Sequence, residues 1–193
     1  MGDVLRSHSL FSVDEYLEIE SRRGERHEFV DGVIYAMTGG TDRHNLLAGN
    51  AYFELRRQLR SPCQVFQQGM KLRIETKVDE ARYYPDVFAG CDPDDRASLY
   101  REHPCVIIEV LSPSTESDDR RSKFYHYQTI STLQHYILVA QDVPQIEIFA
   151  RSNAWSRETM SWGGSVDVCG GKATLTTEAI YDNIPFTGIT QIA

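Results

Sequence analysis

Apolar positions recur along this chain with two different periods, and the places where the period changes mark out its elements. Ser12 and Glu15 form a capping box, and Phe11 with Tyr16 can staple across it. This predicts a helix through Val13, Tyr16, Leu17 and Glu20 that stops near Gly24. Residues 28–37, EFVDGVIYAM, read as a hairpin turning at Asp31-Gly32. From 42 to 60, Leu47, Ala51, Leu55 and Leu59 recur every four residues, and Leu46 and Phe53 widen the stripe. That spacing predicts a longer helix, slightly weakened by Gly49.

Strands are expected at Cys63–Gln68 and Met70–Thr76, the second alternating Met70, Leu72 and Ile74 with charged residues. After the acidic loop KVDEA, Tyr83–Ala89 reads as a strand, and CDPDDRAS as a polar loop. Cys105–Leu111, CVIIEVL, is the most apolar strand, and its continuous β-branched run suits a central position buried on both faces. Ser112-Pro113 ends it, and Ser114 or Thr115 can cap a charged helix over 116–129. Residues 135–141 and 145–150 read as strands joined by a turn at 142–144. The tail holds two short strands and a short helix at Thr177–Asn183, ended by Pro185. This order gives an α+β (mixed α/β) class with a mixed central sheet flanked by helices. The 193 residues suit one domain, 1–193.

Composition narrows the function classes. The chain is 41% hydrophobic and 25% charged, and no apolar run is long enough to span a bilayer. The N-terminus lacks a signal-peptide core, and a cytoplasmic location is expected. Cys63, Cys91, Cys105 and Cys169 form no CxxC pair and match no zinc spacing, so buried or free thiols in a reducing compartment are expected. The net charge of -8 argues against a basic coat protein for nucleic acid, although a local basic strip can still meet phosphates.

The chemistry rests on charges set inside apolar sequence. Glu109 lies within VIIEVL, where a lone carboxylate is costly unless paired or metal-bound. Its bland alternative is a strand-end residue reaching solvent or an arginine. Asp86 follows Pro85 in YYPDVFA, and its alternative is an edge or turn position. Two strands that each present a carboxylate can hold a hard cation such as Mg²⁺, with the carbonyl of Val110 as a third ligand. Lys123 lies one helical turn from Asp119, so it either forms a plain surface ion pair or reaches the cleft to orient water and stabilise phosphoryl charge. No nucleophile elbow, P-loop or dinucleotide fingerprint is present.

YYPDVFAG, PCVIIEVLSPST and DDRRSKFYHYQ together resemble the Uma-type restriction endonuclease family of the PD-(D/E)xK nuclease superfamily. The resemblance runs from the first helix to about residue 150. It implies a restriction endonuclease-like core in which Asp86 is the Asp of PD and Glu109 the second acidic residue. Leu111 stands where that superfamily has its lysine, and the resemblance implies that Lys123 has taken the part from the following helix. It also draws Glu28 and His44 into the site. Glu28 is otherwise a surface charge on the hairpin, His44 a capping or solvated residue, and Tyr127 a packing residue with its hydroxyl bonded.

The function expected on these grounds is Mg²⁺- or Mn²⁺-dependent endonucleolytic hydrolysis of DNA, by a homodimer in keeping with the commonest oligomer symmetry. The alternatives are a catalytically inactive nuclease fold that binds nucleic acid or a partner, and hydrolysis of a smaller phosphoester.

Overall fold

The computed structural model describes residues 10–24, 26–37, 39–77 and 79–186. The first helix, α1 (Val13–Arg23), starts on the expected capping box and ends at Gly24 in the left-handed conformation. Strands β1 (His27–Val30) and β2 (Val33–Ala36) form the hairpin, with Asp31 and Gly32 both at positive φ as a type I′ turn requires. Tyr16, Phe29 and Ile34 pack between helix and hairpin, joined by Phe11.

Thr41 caps α2 (Asp42–Gln58), whose Leu47, Ala51 and Leu55 are buried. Leu46 and Phe53, expected on the buried stripe, are 51% and 62% exposed. The buried face is narrower than the spacing suggested and is limited to the stripe of Leu47, Ala48, Ala51, Glu54 and Leu55.

Three points of the chain's course were not readable from local pattern. Strands β3 (Gln64–Gln67) and β4 (Lys71–Glu75) do not form a hairpin but enter different sheets. The single strand expected at Tyr83–Ala89 is two strands, β5 (Glu80–Tyr83) and β6 (Val87–Gly90), also in different sheets. Pro85 lies in the break, where its missing N–H cannot extend either ladder. The tail has three strands rather than two: β11 (Arg157–Met160), β12 (Ser165–Val168) and β13 (Ala173–Thr176), followed by α5 (Thr177–Ile180).

Between them run β7 (Tyr100–Arg101), β8 (Pro104–Val110), β9 (His135–Val139) and β10 (Ile146–Ala150). The crossover from β8 to β9 is α3 (Glu116–Asp118), a π-helical turn (Asp119–Lys123) and α4 (Phe124–Thr129). One sheet has the order β2-β1-β5-β4-β7, the other β11-β10-β9-β8-β6-β3, and β12 pairs with β13. The larger sheet is mixed, with β8 parallel to β9 and its other pairs antiparallel. Val106, Ile108 and Val110 of β8 face the core under α2. Ile107 and Leu111 face the opposite way, toward the core shared with the smaller sheet and α4. The class is therefore mixed α+β, as expected, with two principal sheets rather than one.

The cysteines differ from expectation. Cys63 is bonded to Cys91 and Cys105 to Cys169, leaving no free thiol. Antiparallel pairing of Gln64 with Gly90 sets Cys63 opposite Cys91, although 28 residues separate them in sequence. The cysteine premise for a reducing compartment therefore falls away. Among the described residues, no helix is long and apolar enough to cross a membrane.

Candidate active site

Asp86 occupies the point where the chain passes from one sheet to the other, not the interior of a strand. Its N–H donates to Glu109 Oε2 at 3.0 Å, and its carbonyl accepts from the Gln68 N–H at 3.1 Å. Its carboxylate Oδ2 accepts from the Val110 N–H at 2.8 Å. Each acidic side chain thus binds the backbone of the other's segment, which fixes both carboxylates at the same end of β6 and β8.

Glu109 is 2% exposed, on a strand that is buried throughout. Strand alternation puts it on the face of Ile107 and Leu111, toward the crossover. Its Oε1 accepts from the Tyr127 hydroxyl at 3.0 Å and lies 3.3 Å from Lys123 Nζ. Lys123 comes from the π-helical turn, a wider turn of the kind often found at functional sites. Its ammonium is also 3.1 Å from Asp119 Oδ1 and 3.5 Å from Glu28 Oε1. The Tyr83 ring supports it from 5.7 Å. Asp119 and Lys123 are both buried, so they are not the plain surface pair that sequence spacing allowed. Glu28 reaches inward from β1 and accepts from the Tyr84 N–H at 3.3 Å, rather than standing on the hairpin surface.

His44 lies in the first turn of α2, where Thr41 accepts its N–H at 3.1 Å. Its Nε2 is 3.1 Å from Asp86 Oδ2. The structure therefore brings Asp86, Glu109, Val110, Lys123, Glu28, His44 and Tyr127 together. Sequence reasoning undervalued Asp119 and passed over Tyr83. The signal for Asp119 was its spacing from Lys123, but nothing local showed that both would be buried.

The electrostatics follow from burial. Removal from water pushes the Glu109 carboxyl up to about 8, against the opposing pull of Lys123. Burial raises Glu28 as well, again opposed by Lys123. Lys123 itself is disfavoured as a cation by burial, yet Glu109, Glu28 and Asp119 outweigh that and hold it protonated well above the usual lysine range. For His44, burial lowers its basicity, and the contact with Asp86 more than compensates.

Three carboxyl groups therefore share one buried ammonium, and a fourth, Asp86, lies beside them against His44. Such a surplus of negative charge requires either a retained proton or an additional cation. The Asp86 and Glu109 carboxylates offer oxygen donors of the type hard divalent cations take, so Mg²⁺ and Mn²⁺ fit them. A second acidic group, Asp31, Asp79 and His126, has ligand atoms within 4.8 Å of one another. Its members are already engaged: Asp31 accepts from the Glu80 N–H, and His126 Nδ1 bonds the Tyr83 hydroxyl.

The centre lies in a cleft of about 1120 Å³. Among the described residues, eight Asp and Glu line it against three Lys and Arg, so these make it acidic and offer no basic strip. Of the three, Arg120 is already paired with Glu116 and Glu147.

The chain is similar to known proteins in sequence and in fold. The family profile of Uma2, described as "Putative restriction endonuclease", matches residues 13–166. The uncharacterized protein slr1290 of Synechocystis sp. is 37% identical over 145 residues, covering 74% of this chain and 75% of that protein. A second uncharacterized Synechocystis protein, sll1609, is 30% identical over 152 residues, covering 77% and 85%. The crystal structure of a protein from Anabaena variabilis, described as a putative nuclease belonging to DUF820, superposes with a TM-score of 0.72. At 13% identity it covers 89% of this chain and 97% of its own, a likeness of fold.

Proposed function

The chain belongs to the Uma2 family, and from that premise we propose that it is a metal-dependent endonuclease that hydrolyses DNA phosphodiester bonds in the acidic cleft. The observation that carries this reading is the reciprocal clasp of Asp86 and Glu109 beside the buried Lys123. A buried surplus of carboxylates costs stability, and a divalent cation turns that cost into a binding site for phosphate.

Asp86, Glu109 and the Val110 carbonyl hold Mg²⁺ or Mn²⁺ in this reading. When bound, the cation supplies Lewis acidity and neutralises charge on the scissile phosphate. Lys123 keeps a fixed positive charge at the inner wall, where it orients water and opposes charge growing on the phosphoryl oxygens. Glu28 and Asp119 also hold that ammonium in place. His44 steadies the Asp86 carboxylate and leaves its other oxygen for the cation. Tyr127 fixes the Glu109 rotamer through Oε1.

The test is incubation of purified protein with plasmid and linear DNA in Mg²⁺ or Mn²⁺, beside Asp86→Ala and Glu109→Ala. The reading requires cleavage by the wild type and its loss in both variants. Cleavage that persists equally in both variants overturns the site. Turnover of an aryl phosphodiester with none on DNA moves the substrate to smaller phosphoesters. Binding without cutting under any cation establishes a non-catalytic nuclease fold.

A further inference from the structure

The four cysteines converge on one place although they arrive from four segments. Cys63 immediately precedes β3, Cys91 immediately follows β6, Cys105 is the second residue of β8, and Cys169 lies in the turn between β12 and β13. The pairings of Gln64 with Gly90 and of Gly90 with Pro104 set the first three side by side. The Cys105–Cys169 bridge ties the β12–β13 hairpin to them. This is the opposite end of β6 and β8 from Asp86 and Glu109.

The two bridges touch. Cys91 Sγ and Cys105 Sγ, which belong to different disulfides, are 3.9 Å apart. The sulfurs of Cys91, Cys105 and Cys169 all lie within 4.8 Å of one another, and Cys63 is bonded to Cys91. In a tetrahedral thiolate site with Zn–S near 2.3 Å, neighbouring sulfurs stand about 3.8 Å apart. The spacing between the bridges already matches that edge. Cys105 and Cys169 are buried and Cys63 and Cys91 only partly so, which closes the group on the core side and opens it on the other.

We propose that, when its two disulfides are reduced, the protein binds one soft divalent cation of the Zn²⁺ class through Cys63, Cys91, Cys105 and Cys169. Four sulfur ligands select such an ion, whereas the oxygen donors of the cleft select a hard one. The chain then carries two metal centres of different chemistry at the two ends of the same strand pair. The sulfur centre takes the mechanical place of the bridges, holding β3, β6, β8 and the β12–β13 hairpin together. Reduction by a trialkylphosphine consumes one water per bridge and gives the phosphine oxide and two thiols. Binding of the cation to the four thiols then releases up to four protons.

The full-length protein is reduced with a trialkylphosphine, desalted without oxygen and titrated with Co²⁺. The expected result is one equivalent giving strong sulfur-to-cobalt charge-transfer absorption and tetrahedral d–d bands, both removed by Zn²⁺. Co²⁺ held by carboxylates in the cleft gives no such charge-transfer band, and the oxidised protein should give none. Cys63→Ser alters a partly buried ligand, and Cys169→Ser a buried one. Each should weaken Co²⁺ binding at least about tenfold, the loss that even an outer-sphere partner can cause. If the reduced protein unfolds, recovery of its circular dichroism together with the thiolate band on adding Co²⁺ supports the site. Absence of the band in reduced protein, folded or not, overturns the proposal. So does a band of unchanged intensity and affinity in both variants.

Discussion

Lys123 Nζ lies 3.3 Å from Glu109 Oε1, although the two residues come from a helical crossover and a central strand 14 positions apart. The lysine that the superfamily motif places two residues after its acidic residue is here Leu111, on the same face of β8 as Glu109. Residues 111 and 123 both line the cleft.

That geometry predicts a rescue. Lys123→Ala should lower DNA cleavage by roughly 10²–10³-fold, the usual loss for a group that stabilises transition-state charge. Leu111→Lys added to that variant should restore part of the rate, because residue 111 also lines the cleft. Single-turnover kinetics, with circular dichroism to verify folding, would measure both. No recovery in the double variant would mean that the position of the ammonium matters more than its presence.

The raised Glu109 carboxyl predicts a pH-dependent stability. Its folded value of about 8 lies above the ordinary 4.5, so the folded state binds the extra proton between those values. Its contribution to stability is fully present below about 4.5 and is lost as pH rises through about 8. Thermal unfolding in a chelator should show wild type falling across that window and Glu109→Gln falling less steeply. Affinity for Mg²⁺ should rise over the same window, because the cation competes with that proton.

The acidic cleft predicts that neutralising its acids uncouples binding from cutting. Without divalent cation the wild type should bind DNA weakly, since carboxylates outnumber basic groups along the cleft. Asp86→Asn, and Glu109→Gln above about pH 8 where that carboxyl is ionised, should each tighten cation-independent binding several-fold while abolishing cleavage. Fluorescence anisotropy in a chelator would register the change. Weaker binding by both variants would place the DNA on another surface.

His44 should act through Asp86. Its Nε2 lies 3.1 Å from Asp86 Oδ2. His44→Ala should therefore raise the Mg²⁺ concentration needed for half-maximal cleavage, by about 10-fold, more than it lowers the rate at saturating cation. The reverse split, a lost maximal rate at unchanged cation requirement, would assign His44 to the reaction itself.

Much of this was legible in the sequence because it was local. The Ser12–Glu15 box, the Asp31-Gly32 turn and the apolar run that contains Glu109 each carry their own signal. The destination of a strand is not local: alternation in Tyr83–Ala89 looks the same whether it lies in one sheet or crosses between two, and Pro85 alone marked the break. The cysteine pairing depended on partners 28 and 64 residues away, one brought in by strand pairing and the other by a separate hairpin. The acidic residues of the site were visible as charges in apolar sequence. Burial of Asp119 with Lys123 was not, because the same i,i+4 spacing serves exposed and buried pairs alike.

The central claim is that Asp86 and Glu109 together hold the cation. The most direct measurement is a Mn²⁺-soaked crystal structure with anomalous scattering recorded at the manganese edge. The account predicts an anomalous peak coordinated by both carboxylates and the Val110 carbonyl, with Lys123 still against Glu109. A peak at Asp31, Asp79 and His126 instead, with none between Asp86 and Glu109, would contradict it.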